Sequence, residues 1–237
     1  MNNLKTNMKT ENSKTFSTAA FTLIELLVVI SIISVLAGLI IGGLGAAKKK
    51  QNRDTARAEL EQIKAAIDSY RNKYGSYPPG NQNLATATYD PFILNQLYYE
   101  LSGVTNTTPN NNVNPTYRTL DGATSITRND CQTAFGVGSI VNVIKGSGED
   151  TLAAQNFLTG LKAKQINDDV SNNLVRTTVL VTSVGGPDDS YKPLGASGIN
   201  PFHYNSASPT NNPSSYDLWV DLVISGKTNR INNWSAK

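Results

Sequence analysis

Apolar residues are concentrated in one stretch, FTLIELLVVISIISVLAGLIIGGLGAA, which covers residues 21–47. Glu25 is the only ionisable residue in it. As a helix, the stretch would be about 40 Å long, which exceeds the roughly 30 Å hydrocarbon core of a bilayer. A secretory signal peptide has an apolar region of only about 7–15 residues, although Ala46 and Ala47 leave a small-residue cleavage site as an alternative. The pattern therefore predicts a retained membrane-spanning helix over residues 21–47.

The residues that follow keep a helical pattern. Apolar and aromatic residues recur there at intervals of four and three positions, at Ala56, Leu60, Ile63, Ile67, Tyr70 and Tyr74. This spacing gives one apolar stripe along a helix whose other faces are polar. Gly75 suits a C-terminal cap, and Pro78 prevents continuation. The sequence thus predicts one helix from about Phe21 to about Tyr74, whose amphipathic second part (residues 48–75) packs on the C-terminal domain.

The middle of the chain carries weaker signals. Asp90 suits the N-cap and Pro91 the first position of a helix that ends before Gly103. Residues 105–117 are rich in Asn, Thr and Pro and predict a surface loop. Residues 150–166 predict a further helix. Its inward-facing residues would be Leu152, Phe157, Leu158 and Leu161.

The strand signals come late and lie close together. Four segments rich in β-branched and aromatic residues cover 174–184, 199–204, 216–224 and 231–234. Because no long crossover separates them, they predict an antiparallel sheet, with Ser225-Gly226 as a turn before the last strand. A long helix packed on a small antiparallel sheet is an α+β fold.

The charge of the chain and its candidate reactive residues argue against several classes of function. The formal net charge is only +3, and much of the excess positive charge lies at Lys48–Lys50 and within residues 1–20. No broad nucleic-acid-binding surface is therefore expected. Cys131 is the only cysteine, which rules out an intramolecular disulfide and favours a buried thiol. His203 is the only histidine, so the chain has no Cys/His zinc cluster, and nothing local supports a Cys131–His203 nucleophile pair. The sequence therefore predicts a protein that is not an enzyme.

Glu25 is the most informative residue of the apolar stretch. An acid within a membrane segment usually has a partner, and no basic residue lies within helical reach of Glu25. A cut between Ala20 and Phe21 would create an α-amino group four residues before Glu25. Such an amine on a neighbouring subunit would neutralise the carboxylate when subunits pack together.

Residues 20–27, AFTLIELL, resemble the prepilin-type cleavage and methylation motif, usually written GFTLIEL. In that family a prepilin peptidase cuts before the Phe and N-methylates it, and the Glu is needed for subunit assembly. The resemblance implies that Ala20 and Phe21 flank the cleaved bond, that Phe21 is methylated, and that Glu25 is the assembly carboxylate. The chain departs from the pattern at Ala20, where Gly is usual, but both residues are small.

Two later segments resemble the major pseudopilin of type II secretion systems. They are YRNKYGSYPPGN (residues 70–81) and YDLWVDLVISGKTNRINNW (residues 216–234). The resemblance implies a pilin-like fold in a filament subunit that drives protein export. Its partners would be the prepilin peptidase, other pilin-like subunits, the inner-membrane assembly platform and, indirectly, a secretion ATPase.

Two alternatives to the secretion pseudopilin remain open. One is a subunit of another type IV pilus, which would serve adhesion, motility or DNA uptake. The other is a membrane-anchored periplasmic binding or enzymatic domain that forms no filament.

The same resemblance raises the question of calcium, because major pseudopilins bind Ca²⁺ in a C-terminal loop. Ca²⁺ takes six to eight oxygen ligands, and residues 216–234 offer only the acids Asp217 and Asp221. A shorter, basic SGKTNR segment replaces the acidic loop. The calcium site of the family is therefore not carried over to this chain. Asp188 and Asp189 could contribute oxygen ligands instead, which makes them weak metal candidates beside Asp217 and Asp221. No cofactor is predicted.

These expectations divide the chain into four parts. Residues 1–20 are the leader, 21–47 the transmembrane and filament-core helix, 48–75 its amphipathic continuation, and 76–237 a globular domain. Lysines on both sides of the apolar stretch leave its orientation undecided by the positive-inside rule. The pilin resemblance implies a cytoplasmic leader, a single pass through the bacterial inner membrane and a periplasmic C-terminal domain.

Overall fold

A computed structural model describes residues 21–82, 90–108, 113–144, 153–172, 175–186, 190–195, 197–224 and 227–234. The side chains of residues 39–44 and 169–172 lie outside this description. Helix α1 spans Leu23–Tyr74. The chain divides after Ala47 into two compact units. Of the helices in the described residues, none combines the length and the apolar character that a membrane crossing requires.

The second part of α1 belongs to the core of the C-terminal unit. Five of the six stripe residues are at most 1% exposed, namely Ala56, Leu60, Ile63, Ile67 and Tyr70, and the sixth, Tyr74, is half-buried. Burial of each large apolar side chain contributes roughly 1.5–3 kcal/mol, so this stripe anchors the helix in the unit. Gly75 ends the helix at φ +76°, and its N–H donates to the Arg71 carbonyl at 2.7 Å. The predicted end of the helix is confirmed.

Two short helices follow. Helix α2 spans Leu97–Ser102, and α3 spans Arg128–Phe135. The helix expected at Asp90 begins only at Leu97, because residues 91–93 form a turn in which the Asp90 carboxylate accepts from the Phe92 N–H at 2.9 Å. Asp90 therefore caps a turn, and the predicted helix start was wrong.

The strands form three small antiparallel sheets within the described residues. The first contains β1 (Val104–Asn106), β2 (Thr116–Thr119) and β3 (Ser125–Thr127); the second, β4 (Ile166–Asn172) and β5 (Val175–Leu180); the third, β6 (His203–Asn205), β7 (Asp217–Ile224) and β8 (Lys227–Asn232). All are paired in chain order. The α+β class is confirmed, but three sheets replace the single expected sheet, and β1 and β2 occupy part of the predicted loop 105–117.

The helix expected over residues 150–166 is absent from its described part, 153–166. Residues 153–158 form no regular element, a 3₁₀ turn covers Ala163–Gln165, and β4 begins at Ile166. The backbone there bonds to other parts of the unit: the Phe157 N–H donates to the Leu101 carbonyl at 2.8 Å, and the Gln155 N–H to Asn142 Oδ1 at 2.9 Å. These long-range bonds take the place of helical ones.

A buried carboxylate connects several elements. Glu100 on α2 is fully buried and accepts from the Tyr70 hydroxyl at 3.0 Å, the Val141 N–H at 2.8 Å and the Asn142 N–H at 3.0 Å. Burial, reinforced by the charge of Glu100, raises the pKa of Tyr70 far above its ordinary value, so the phenol stays protonated and donates. The network ties α1, α2 and the 140–143 segment together.

Candidate assembly site at the start of the long helix

Thr22 and Glu25 form a closed pair at the first turn of α1. The Thr22 N–H and hydroxyl both donate to Glu25 Oε2, at 2.9 and 2.7 Å, and the Glu25 N–H donates to Thr22 Oγ1 at 3.3 Å. This is a capping box, in which the N-cap threonine and the glutamate three residues later satisfy each other's polar groups. The carboxylate is thereby held at the helix start.

The neighbouring candidate residues are placed differently. Phe21 is described and 81% exposed, whereas Ala20 and the rest of the leader lie outside the described residues. Phe21 and Glu25 border the same shallow apolar recess, together with Ile24, Val28 and Val29. The N-terminus that a cut before Phe21 would create therefore falls beside the capping box.

The apolar side chains of this part of α1 are exposed on every side of the helix. Twelve large ones are 48–82% exposed: Phe21, Leu23, Ile24, Leu26, Leu27, Val28, Val29, Ile30, Ile32, Ile33, Val35 and Leu36. The Ser31 and Ser34 hydroxyls donate to the carbonyls of Leu27 and Ile30, each at 2.7 Å, so these polar groups are satisfied within the helix. A helix that is apolar all round is stable only when something apolar covers it.

Thr22 was missed at the sequence level. The signal was present, because a threonine followed three residues later by a glutamate, directly before an apolar run, is the signature of a capping box. The family motif assigns roles to the glutamate and to the cleavage point, and none to the threonine between them.

Two of the four carboxylates considered for metal binding lie within the described residues, and both have partners from this chain. Asp217 and Asp221 lie on β7, whereas Asp188 and Asp189 are outside the described residues. Asp217 accepts from the N–H groups of Thr210, Asn211 and Asn212 at 2.8–2.9 Å. Asp221 forms a two-pronged ion pair with Arg230 at 2.8 Å. The described residues contain no group of three or more His, Cys, Asp or Glu side chains arranged to hold a metal ion.

Cys131 and His203, the two candidates for nucleophilic chemistry, both lie in packed surroundings. Cys131 on α3 is fully buried, as predicted, and burial raises the pKa of its thiol to about 12, which keeps it protonated near neutral pH. His203 on β6 stacks against Trp219 with ring centroids 4.8 Å apart. Both residues contribute to packing.

Comparisons with known proteins give the class first. The model of the prokaryotic N-terminal methylation motif matches residues 16–41, a segment that includes Ala20, Phe21 and Glu25. Individual curated proteins are similar as well. The chain is 37% identical over 73 residues to the type II secretion system core protein G of Escherichia coli K12. The aligned segment covers 31% of this chain and 50% of that protein.

Two further proteins of the same name are also similar to this chain. Identity is 34% over 73 residues with that of Pectobacterium carotovorum (31% of this chain, 47% of that protein) and 35% over 71 residues with that of Klebsiella pneumoniae (30% and 51%). The chain spans about half the length of the curated relatives it matches. No solved structure matches it. The motif and these relatives confirm the predicted resemblance to the type IV pilin and pseudopilin family.

Proposed function

We propose that this protein is a structural subunit of a type II secretion pseudopilus and that its filament drives protein export. The observation that carries the proposal is the methylation motif at residues 16–41 in a chain whose curated relatives are named type II secretion core proteins. The protein acts mechanically and is not an enzyme: helices bundle in the filament, and an ATPase elsewhere supplies the work through the assembly platform.

Processing is the first step of the proposed function. A prepilin peptidase cuts between Ala20 and Phe21 and methylates the new amine of Phe21. The exposure of Phe21 supports this, because a residue that becomes a modified terminus must be accessible. The mature chain then begins with a positive charge one residue before the Thr22–Glu25 capping box.

Membrane insertion precedes assembly. The leader stays in the cytoplasm, residues 21–47 cross the inner membrane, and the C-terminal unit lies in the periplasm. The exposed apolar side chains between Phe21 and Leu36 support this, since lipid would cover them in the membrane and neighbouring helices would cover them in the filament. The internally bonded hydroxyls of Ser31 and Ser34 fit both surroundings.

Glu25 recruits the adjacent subunit during assembly. Among the described residues of one chain, Thr22 donates to one oxygen of this carboxylate, and no positively charged group does so. The methylated amine of Phe21 on an adjacent subunit supplies that charge, and the pair is strong because apolar helices surround it. The partners are therefore copies of this chain and other pilin-like subunits.

The direct test replaces Glu25 with Ala in cells that carry the complete secretion system. We expect membrane levels similar to wild type and a loss of filament incorporation of at least about tenfold, because the paired charge is removed while the apolar helix is retained. Glu61→Ala is the matched control, since Glu61 lies on the same helix, is exposed, and forms a surface ion pair with Lys64 at 3.3 Å. Filaments sheared from cells and membrane fractions are quantified by immunoblot.

Several outcomes would contradict the proposal. Normal incorporation of Glu25→Ala would remove the assembly role. Intact-mass analysis that finds a mature chain starting anywhere other than N-methyl-Phe21 would remove the processing step. Filaments displayed on the cell surface without any export defect would instead favour another type IV pilus.

A further inference from the structure

The third sheet has two chemically different faces. Along β7, Leu218, Val220 and Leu222 are buried members of the same core cluster as the stripe of α1. Since side chains alternate along a strand, Asp217, Trp219 and Asp221 share the opposite face. That face also receives His203 from β6, which is paired with Trp219, and Arg230 from β8, which is paired with Asp221. Large aromatic and charged groups are thus assembled on the side of the sheet away from the core.

Three aromatic rings form a connected set on this face. Trp219 and Trp234 meet edge to face with centroids 5.8 Å apart, and Phe92 lies 5.6 Å from Trp219. Trp219 is only 9% exposed, because His203 stacks against it and the Arg230 guanidinium lies over its ring at 5.4 Å. Phe92 and Trp234 are half-buried and retain accessible ring surface.

A loop held by internal hydrogen bonds borders these rings. Asn205 accepts from the Ser208 N–H at 3.0 Å and donates to the Ser208 carbonyl at 2.7 Å. The Asp217 carboxylate accepts hydrogen bonds from the three backbone N–H groups of residues 210–212. Rings and loop together enclose a cleft of about 400 Å³, lined by Phe92, Asn205, Ser208, Thr210, Asn211, Asp217, Trp219, Arg230 and Trp234. The cleft is therefore built before any ligand arrives, and its size is typical of small-molecule sites.

The charges of the cleft are already compensated. Asp217 is occupied by backbone and amide donors, and Arg230 by the carboxylate of Asp221. The groups left over are neutral: in the described part of the chain, the Ser208 hydroxyl and the Asn211 side-chain oxygen accept or donate no hydrogen bond, and the Thr210 hydroxyl has only long contacts of 3.4–3.5 Å. A ligand that fits this cleft is uncharged and carries several hydroxyl or amide groups beside an apolar surface.

We propose that this aromatic cleft binds a neutral saccharide. A pyranose ring has an apolar face of C–H groups, which packs on Trp234 and Phe92, and a rim of hydroxyls, which bond to Ser208, Thr210 and Asn211. The preformed loop lowers the entropy lost on binding. The inference concerns the C-terminal unit and does not depend on how the filament assembles.

The two tryptophans of the chain both line the cleft, so intrinsic fluorescence reports on it directly. The full chain is titrated in lauryldimethylamine oxide, a detergent without a sugar headgroup, with maltohexaose, cellohexaose and chitohexaose as separate probes. We expect a saturable change in tryptophan emission with at least one hexasaccharide at or below about 1 mM. The double variant Ser208→Ala/Asn211→Ala, which keeps both tryptophans, should bind about tenfold more weakly, because it removes the Ser208 hydroxyl and the Asn211 side-chain oxygen that would bond to the saccharide.

Ser214→Ala is the matched control, because Ser214 is exposed on the same connection but does not line the cleft. Trp234→Ala should also weaken binding about tenfold, with Trp219 as the remaining reporter, and Trp234→Phe should restore part of it. The proposal is overturned if none of the three probes gives a saturable change up to about 10 mM, or if the double variant binds like Ser214→Ala while sharing its thermal transition. Filament incorporation, measured in parallel, should be normal in all of these variants.

Discussion

At the scale of single residues, His203 shows how packing changes a titration. Burial lowers the pKa of its imidazole, while the carboxylates of Asp90, 3.6 Å away, and Asp221 oppose that shift and Arg230 adds to it. The net direction is downward. The folded protein therefore favours the neutral ring, which stacks against Trp219.

The pH dependence of stability follows from this direction. In the unfolded chain the imidazole titrates near its ordinary pKa of about 6.5, so below that pH the unfolded state binds a proton more readily than the folded one. Stability is fully present above about pH 6.5 and falls as the pH drops toward the lowered folded value. Thermal unfolding between about pH 7.5 and pH 5.5 should show a falling Tm that His203→Gln flattens. Equal slopes for the two proteins would show that the imidazole is not responsible.

Residue environments were only partly predictable from the sequence. Cys131 was expected to be buried and is, because small apolar side chains commonly fill cores. Nothing local indicated that Glu100, a charged residue in the run LYYEL, would be fully buried. Its partners Tyr70, Val141 and Asn142 are 30–42 positions away, and only the folded chain brings them together.

At the scale of elements, the end of α1 was predictable because the signals are local. The apolar stripe stops at Tyr74, and Gly75 adopts a positive φ that other residues avoid. The error over residues 150–166 has the opposite cause, since Phe157 and Gln155 bond to residues far along the chain. The strand β4, INDDVSN, was missed because its composition is polar, and its partner β5 supplies the pairing.

Gly75 permits a test at this scale. Among the described residues other than its chain neighbours, no atom lies within 4 Å of a Cβ built at this position, so Gly75→Ala introduces backbone strain without a clash. The expected loss is about 1 kcal/mol of unfolding free energy, and Gly75→Asn should lose less because asparagine tolerates the left-handed region. Urea unfolding of the full chain in detergent, followed by tryptophan fluorescence, measures both, with Ser76→Ala as control. Equal stability of the alanine and asparagine variants would argue against strain as the cause.

At the scale of the whole molecule, the sequence predicted the class of fold and the candidate assembly site through different kinds of information. Periodicity and capping gave the α+β class. The prediction of the site rested on a short motif. Its geometry, in which Thr22 donates to Glu25, is visible only in the structure. The split of the strands into three sheets was not foreseeable, because each pairing depends on partners that composition does not specify.

The stability of the C-terminal unit should not depend on calcium. Of the four acids considered, Asp217 and Asp221 are described, and both already have partners from this chain: Asp217 is only 1% exposed and bonded to backbone N–H groups, and Asp221 is paired with Arg230. N–H donors point hydrogen atoms at the carboxylate oxygens that a cation would need, so binding Ca²⁺ at Asp217 would require the 206–212 loop to unfold. The donors that hold this loop thus occupy the position that a metal would fill.

We therefore expect that EDTA leaves the Tm of the full chain unchanged and that added CaCl₂ does not raise it. Asp217→Ala, by contrast, should lower stability by about 3 kcal/mol, since it leaves buried N–H groups of the loop without an acceptor. Differential scanning calorimetry in detergent compares the two treatments, with Ser214→Ala as the control substitution in the same segment. A rise in Tm with calcium that persists in Asp217→Ala would place a site elsewhere, with Asp188 and Asp189 as the next residues to replace. A rise that disappears in that variant would mean that calcium displaces the backbone donors of residues 210–212.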